Sequence, residues 1–336
     1  MMTPLAKPLI DQFSRRITYL RLSVTDRCDL RCSYCMPERM QFVPKSEVLS
    51  LEELRRLAQG FISRGVRKIR LTGGEPLVRR DVLDLVRALG REVGAGLDEL
   101  TLTTNGMRLA EFAAPLADAG VRRINVSLDT RDRALFQQLA RRDGLMQVLG
   151  GIAAAKAAGL KIKLNTVALK GLNEAELPAL IAWAHGEGHD LTLIEVMPLG
   201  EIDGDRFDHY LPLTAVHKSL EEHLTLTPSA HRSGGPARYF DVAETGGRLG
   251  LITPLTNNFC DGCNRVRVTA TGQLAMCLGG EAEVDLRAAL RSDEPAARID
   301  AALDLAMRTK PERHAFAIRG HGEAPALARH MSATGG

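Results

Sequence analysis

Apolar and polar positions along the chain switch between two periods. β-Branched and apolar runs at 17–24 (ITYLRLSV), 67–72 (RKIRLT), 98–103 (DELTLT), 122–128 (RRINVSL), 161–168 (KIKLNTVA) and 191–197 (LTLIEVM) read as strands. Between them, 51–64, 80–93, 108–119, 146–158 and 174–186 carry apolar residues at helical spacing. Ser50 stands before the first helix and Glu53 three residues on, the pattern of a capping box. Strands alternating with helices predict a parallel sheet with right-handed crossovers. Six such strands are too few for a closed eight-stranded barrel. The expectation is an α/β fold: an incomplete (βα)6 TIM-like barrel. After about residue 210 the rhythm changes, and 231–240 (HRSGGPARYF) reads as a loop or linker. We therefore expect a barrel domain over 1–230 and a smaller α+β domain over 231–336. By composition alone the final ALARHMSATGG is a frayed tail.

The strand assignments also sort the unusual residues. Cysteines follow the first strand, TGGEP (72–76) ends the second, TTNG (103–106) the third, Ser127 and Asp129 the fourth, and Met197 the sixth. Ligands of parallel α/β sheets bind at the carboxyl ends of the strands, so these motifs converge on one mouth. Arg21, Lys68, Arg70 and Lys163 lie within strands. A cation inside a buried parallel strand is costly unless an anion pairs with it. A phosphate is such an anion, and arginine forks suit its oxygens; a salt bridge to a helix carboxylate is the alternative for each residue singly.

Composition narrows the class. Of 336 residues, 45% are hydrophobic and 25% charged, ordinary values for a globular chain. The net charge of +3 is too small to argue for nucleic acid or a membrane surface, so neither is expected as a partner. No run approaches the roughly 20 apolar residues of a membrane span, and the first residues lack a signal-peptide pattern. A cytoplasmic location is expected. Monomer and homodimer both stay open. Cysteines stand at 28, 32, 35, 260, 263 and 277, in two groups of three. In a cytosolic chain such clusters point to metal rather than disulfides.

Cys28, Cys32 and Cys35 are spaced Cys-x3-Cys-x2-Cys. Structural zinc and ordinary ferredoxin clusters usually take four protein ligands, whereas three leave a position open for a reacting ligand. A zinc site with a distant fourth ligand, or a redox Cys-x-x-Cys pair, would account for neither the third cysteine nor Tyr34 before Cys35. The second group is Cys260-x2-Cys263-x13-Cys277, where a zinc ribbon lacking one ligand stays open from spacing alone. Arg265 and Arg267 beside it share one face if the segment is a strand; a solvated edge strand is the plainer alternative.

Cys-x3-Cys-x-aromatic-Cys followed one strand later by GGEP resembles the radical S-adenosylmethionine superfamily. The pairing of both triads, the segment NNFCDGCNRVRVT and the terminal Gly335-Gly336 are similar to the GTP 3′,8-cyclase family of molybdenum-cofactor biosynthesis, from about residue 10 to 336. The resemblance implies two [4Fe-4S] clusters, one on each triad, and S-adenosylmethionine on the open iron of the first. It implies that a 5′-deoxyadenosyl radical takes the 3′ hydrogen of GTP ribose, whose carbon then attacks guanine C8. The guanine contacts the second cluster, and an external electron donor completes the partners.

By motif match the resemblance assigns S-adenosylmethionine contacts to Tyr34, Gly74, Ser127 and Met197. GTP contacts fall on Arg21, Lys68, Arg70, Thr103, Lys163, Arg265, Val266 and Arg267, and catalytic roles on Arg265, Arg267, Gly335 and Gly336. Tyr34 and Met197 would otherwise read as core residues. Against the composition of the tail, the resemblance carries it into the active site, with Arg329 accompanying it inward. One departure stands out: the family often has an arginine on the sixth strand, five residues before the methionine, where this chain has Thr192. A phosphate contact is then missing or supplied from elsewhere. Rival readings are another radical S-adenosylmethionine enzyme with an auxiliary cluster, or a non-catalytic iron–sulfur carrier. The first tends to have more C-terminal cysteines, and the second would need neither GGEP nor a set of strand cations.

Overall fold

Residues 7–335 are described by a computed structural model. All six expected strands form: β1 (Tyr19–Ser23), β2 (Lys68–Thr72), β3 (Glu99–Thr104), β4 (Arg123–Ser127), β5 (Lys161–Ala168) and β6 (Asp190–Glu195). They pair in chain order, all parallel. The connecting helices are α1 (Leu51–Ser63), α2 (Val82–Gly90), α3 (Leu109–Asp118), α4 (Arg133–Ala140), α5 (Leu145–Ala157) and α6 (Leu177–Gly186). Ser50 and Glu53 make the reciprocal capping bonds at the start of α1. Helix α4 was absent from the sequence expectation; its signal is Asp132, whose side chain accepts from the Leu135 amide at its N-terminus.

Along each strand the apolar positions face the helices. Leu20, Leu22, Ile69, Leu71, Leu100, Leu102, Ile124, Val126, Ile162 and Leu164 are buried in one continuous core. The alternate positions, which in a packed barrel would be branched apolar residues, here include Tyr19, Arg21, Arg70, Thr103, Asn125 and Lys163, and these line a cavity. The period of two thus puts greasy surface outside and polar side chains inside.

Chain beyond residue 210 adds α7 (Leu213–Leu220), β7 (Leu226–Pro228), β8 (Arg238–Val242), β9 (Arg248–Ile252), β10 (Arg265–Val268), β11 (Gln273–Ala275), β12 (Glu283–Asp285), α8 (Leu286–Leu290), α9 (Pro295–Thr309) and α10 (Met331–Thr334). Strand β9 pairs parallel with β6, and β10 pairs parallel with β1. Strands β8 and β7 continue antiparallel outside β9, as β11 and β12 do outside β10. The incomplete barrel therefore has six βα strands as expected, with one further parallel strand on each edge. Arg238–Phe240, within the stretch read as linker, belong to β8.

Two devices bring the last third of the chain to the barrel mouth. Glu195, fully buried at the end of β6, accepts from the amides of Leu213 (3.0 Å), Leu255 (2.8 Å) and Thr256 (3.2 Å), turning the chain toward Cys260. The tail is not frayed. Leu327 pairs with Leu199, the Ala326 amide donates to Pro198 O (2.9 Å) and the Gly200 amide to Leu327 O (2.8 Å). Thr334 and Gly335 are buried. Arg329 does not travel inward: it pairs with Glu283 and donates to the carbonyls of Leu278 (3.2 Å) and Gly280 (3.1 Å). Among the described residues no helix is long and apolar enough to cross a membrane.

Candidate active site

One cavity of about 260 Å³ is lined by all six cysteines together with Tyr34, Gly74, Ser127 and Met197. Arg21, Arg70, Thr103, Lys163, Arg265, Val266 and Arg267 line it as well. The side chain of Val266 packs in the hydrophobic core between its two arginine neighbours. Lys68 alone among the expected GTP contacts does not line this cavity. Its ammonium is held by Glu99 (2.7 Å) and by Ser233 O (2.9 Å). Gly335 packs against Thr72 and Gly73 at the cavity wall, and its φ of 71° leaves no room for a side chain: a Cβ would lie 2.1 Å from Thr72 Oγ1. Gly336 lies outside the described residues.

The first triad sits on the loop after β1. That loop is held by backbone bonds from Arg31 to Ala140 (3.1 Å) and from Ser33 to Leu139 (2.9 Å). The glycines of GGEP let it lie against the next strand. A Cβ on Gly73 would meet Thr25 O at 2.1 Å, and one on Gly74 would meet Arg27 O at 2.4 Å. Glu75 accepts from Leu77 N, Thr104 Oγ1 and Asn105 N, tying GGEP to TTNG. Asn105 in turn donates to Asp29 (2.7 Å) and toward Cys28 Sγ (3.7 Å). The Tyr34 hydroxyl donates to Asp129 Oδ2 at 2.6 Å. Burial pushes the thiol of Cys28 up to about 12 and that of Cys35 up to about 11, so as thiols they keep their protons at neutral pH, and metal loading must release them.

The second triad spans the turn before β10 and the end of β11. Burial raises the thiols of Cys260 and Cys263; at Cys263, Arg265 and Lys310 outweigh burial and bring it below its usual value. Phe259, His314 and Phe316 form an aromatic wall beside it, with His314 and Phe316 ring centres 4.7 Å apart. No two of the six cysteines form a disulfide. With three sulfurs per group, N–H donors from Leu30 and Asn105 toward Cys28, and a shared cavity, the donor set fits two clusters that each keep an open iron.

Register explains the cations. Arg21 on β1 stands opposite Arg267 on β10 and Arg70 on β2, so three arginines form one row across three neighbouring strands. On the β3 side the row continues to Thr101 and then to Arg123 of β4, neither of them a carboxylate. The row below runs Arg265, Tyr19, Lys68 and ends on Glu99, which also pairs with Arg123 at 2.6 Å. Among the described residues, Arg21, Arg70 and Arg267 have no acidic partner within ion-pair distance. Arg21 Nε, Arg70 Nε and one terminal nitrogen of Arg267 are buried without a hydrogen-bond partner. Burial lowers Arg70 to about 10 and also depresses Arg267, where the neighbouring guanidiniums add to it. Burial pushes the Tyr19 phenol up, but Arg70, Arg21, Lys68 and Arg265 outweigh it and hold the phenol at about 8.

Tyr239 answers part of the question raised by Thr192. Thr192 is fully buried opposite Gly250, where an added Cβ would meet Thr192 Oγ1 at 2.6 Å and the Tyr239 ring at 3.1 Å. The Tyr239 hydroxyl accepts from Lys163 at 2.6 Å and donates to Ser233 at 2.9 Å. The ring occupies space an arginine here would need. Thr192→Arg is therefore expected not to tighten GTP binding and to cost about 1–3 kcal/mol of stability through overpacking. Thermal unfolding and a GTP titration of the variant check both.

The set of features, a partial barrel with a Cys-x3-Cys-x2-Cys loop after its first strand and GGEP after its second, defines a radical S-adenosylmethionine protein. Residues 22–184 match the Radical SAM superfamily, and residues 189–316 match the family described as Molybdenum Cofactor Synthesis C. The Streptococcus suis SuiB structure bound to S-adenosylmethionine shares the fold, with a TM-score of 0.62 at 15% identity over 89% of this chain and 69% of that one. The chain is 74% identical to a GTP 3′,8-cyclase of Erythrobacter litoralis over 331 residues, covering 98% of this chain and 99% of the relative. It is 61% identical to that of Rhizobium meliloti over 330 residues, covering 98% and 95%. This chain belongs to the GTP 3′,8-cyclase family.

Proposed function

We propose that the chain performs the GTP 3′,8-cyclase reaction, the first step of molybdenum-cofactor biosynthesis, with the polar interior of its barrel as the GTP site. The observation that carries the assignment of residues is the arginine row. Three like charges side by side in a buried sheet repel one another and leave donors unsatisfied. A triphosphate supplies several charges and many acceptor oxygens in one ligand.

Cys28, Cys32 and Cys35 would hold the first [4Fe-4S] cluster, and Cys260, Cys263 and Cys277 the second. What the loaded first site supplies is reductive cleavage of S-adenosylmethionine to a radical able to take a ribose hydrogen from GTP. The chain's own part is placement. Gly74, Ser127, Met197 and Tyr34 line the cavity on the side of the first triad, and Asp129 fixes the tyrosine hydroxyl. Arg21, Arg70, Arg267 and Lys163 hold the triphosphate in the barrel. Arg265 stands between that row and the second triad, where the base would lie beside Phe259 and His314. Gly335 closes the wall at Thr72, which keeps water and alternative sugar poses out. An external one-electron donor is required. Two cysteine clusters with no disulfide between them fit a reducing compartment, and we place the enzyme in the cytoplasm.

Arg70→Ala is expected to weaken GTP binding by about ten- to a hundredfold, since a charge-assisted hydrogen bond contributes roughly 1.5–3 kcal/mol. Lys68→Ala is expected to lose less, because the Lys68 ammonium is already held by Glu99, which it shares with Arg123, and by Ser233 O. Calorimetric titration of anaerobically reconstituted variants with GTP and guanosine separates them. Equal losses in the two variants, or equal binding of guanosine and GTP by the wild type, would show that the arginine row does not bind the triphosphate.

A further inference from the structure

Lys310 follows α9 and is 1% exposed. Its ammonium donates to Arg265 O at 3.1 Å, to Met276 O, and toward Cys263 Sγ at 3.8 Å. Three acceptors match the three hydrogens of an ammonium; a neutral amine has only two. Among the described residues no carboxylate lies within ion-pair distance of Lys310. Arg15, also beside this triad through Cys260 O, is by contrast neutralised by Asp11 at 2.7 Å. Lys310 is thus a buried positive charge whose anionic neighbour is a cysteine sulfur. Such a charge is costly to bury unless an anion compensates it. Around the first triad Asp29, Asp129 and Glu75 lie near the thiols, with Arg206 beside Cys35 and Arg31 on Cys28 O, and among the described residues the donors to its sulfurs are the neutral Leu30 and Asn105 N–H groups.

We propose that Lys310 is a positioning residue that sets the reduction potential of the cluster at Cys260, Cys263 and Cys277, holding it above that of the cluster at Cys28, Cys32 and Cys35. A cation and an N–H donor at a ligating sulfur favour the electron-rich state, and acidic neighbours disfavour it. An electron entering this protein is then held at the substrate end of the cavity more readily than at the S-adenosylmethionine end. Lys310 also joins the two strands that carry Cys263 and Cys277, through Arg265 O and Met276 O, so charge and placement come from one side chain.

The inference rests on the reading of the second triad as a cluster site, and an iron count of about four in protein with Cys28, Cys32 and Cys35 all changed to alanine tests that reading separately. In the same background, Lys310→Met removes the charge at similar length, and Lys310→Arg keeps it. A redox titration followed by electron paramagnetic resonance reads the midpoint. With Lys310→Met the one-electron equilibrium is expected to move about tenfold toward the oxidised cluster, a fall of about 59 mV; Lys310→Arg should retain most of the original midpoint. An unchanged midpoint in Lys310→Met at full iron content overturns the proposal. Should Lys310→Met lose its iron, a Lys310→Arg protein with iron and an unchanged midpoint supports it. Loss of iron in both variants makes Lys310 a structural tie and refutes the tuning role.

Discussion

With Cys28, Cys32 and Cys35 all replaced by alanine, reconstituted protein is expected to hold about four irons in place of about eight, and to cleave no S-adenosylmethionine. Folding is not expected to fail with the metal. The loop that carries the triad is fixed by Arg31 and Ser33 against the end of α4, and the Val43 amide bonds Asp26 at 2.7 Å. None of these contacts passes through a cysteine sulfur. Replacing Cys260, Cys263 and Cys277 instead should also leave about four irons but preserve S-adenosylmethionine cleavage. Iron analysis together with 5′-deoxyadenosine release makes the comparison. Cleavage surviving in the first variant would overturn the division of labour between the triads.

Removal of Gly335 and Gly336 is expected to leave both clusters in place and to cut cyclised product by about a hundredfold or more, the scale on which small misplacements of a reacting group are felt. Gly335→Ala should act in the same direction. At φ 71° an alanine is strained, and its Cβ would overlap Thr72 Oγ1 and lie 3.0 Å from Gly73 N, beside the glycine segment of the first site. The anchor at Leu327 and Arg329 is untouched in both variants, so the rest of the tail should stay docked. The assay counts 5′-deoxyadenosine against cyclised nucleotide in one reaction. Cleavage should remain detectable while the ratio of product to cleavage falls. Wild-type yields of both from the shortened protein would show that the last residues only fill space.

Much of this was legible in the sequence because it rests on local rules. Six strands and five helices follow from periodicity, and the start of α1 from Ser50 and Glu53. The cations at 21, 70, 163, 265 and 267 lie at alternating strand positions, and the structure does turn them to one cavity. What escaped depends on register and on distant partners. Nothing local says that β10 lies beside β1, yet only that pairing makes Arg267 a neighbour of Arg21. Lys68 looks like Arg70 in sequence, two residues away on the same face, and differs because Glu99 is its cross-strand partner. Lys310 stands 33 residues after Cys277 and reads as an ordinary residue at a helix end. The tail misleads by composition: its burial comes from contacts with segments that only the fold brings near.

The position of β9 and β10 has a consequence for how the molecule is made. When the ribosome has released the barrel strands alone, β1 and β6 are bare sheet edges, each offering a full row of unpaired backbone groups. The partner of β1 begins at Arg265, so that pairing closes a loop across most of the polypeptide, the slow kind of contact. Neither edge can be sealed until β9 and β10 have been made, and Cys260 and Cys263 arrive just ahead of the strand that seals β1. Loading of the second triad and protection of the β1 edge are therefore late, linked events, and a chain cut short before residue 265 keeps β1 as a bare edge.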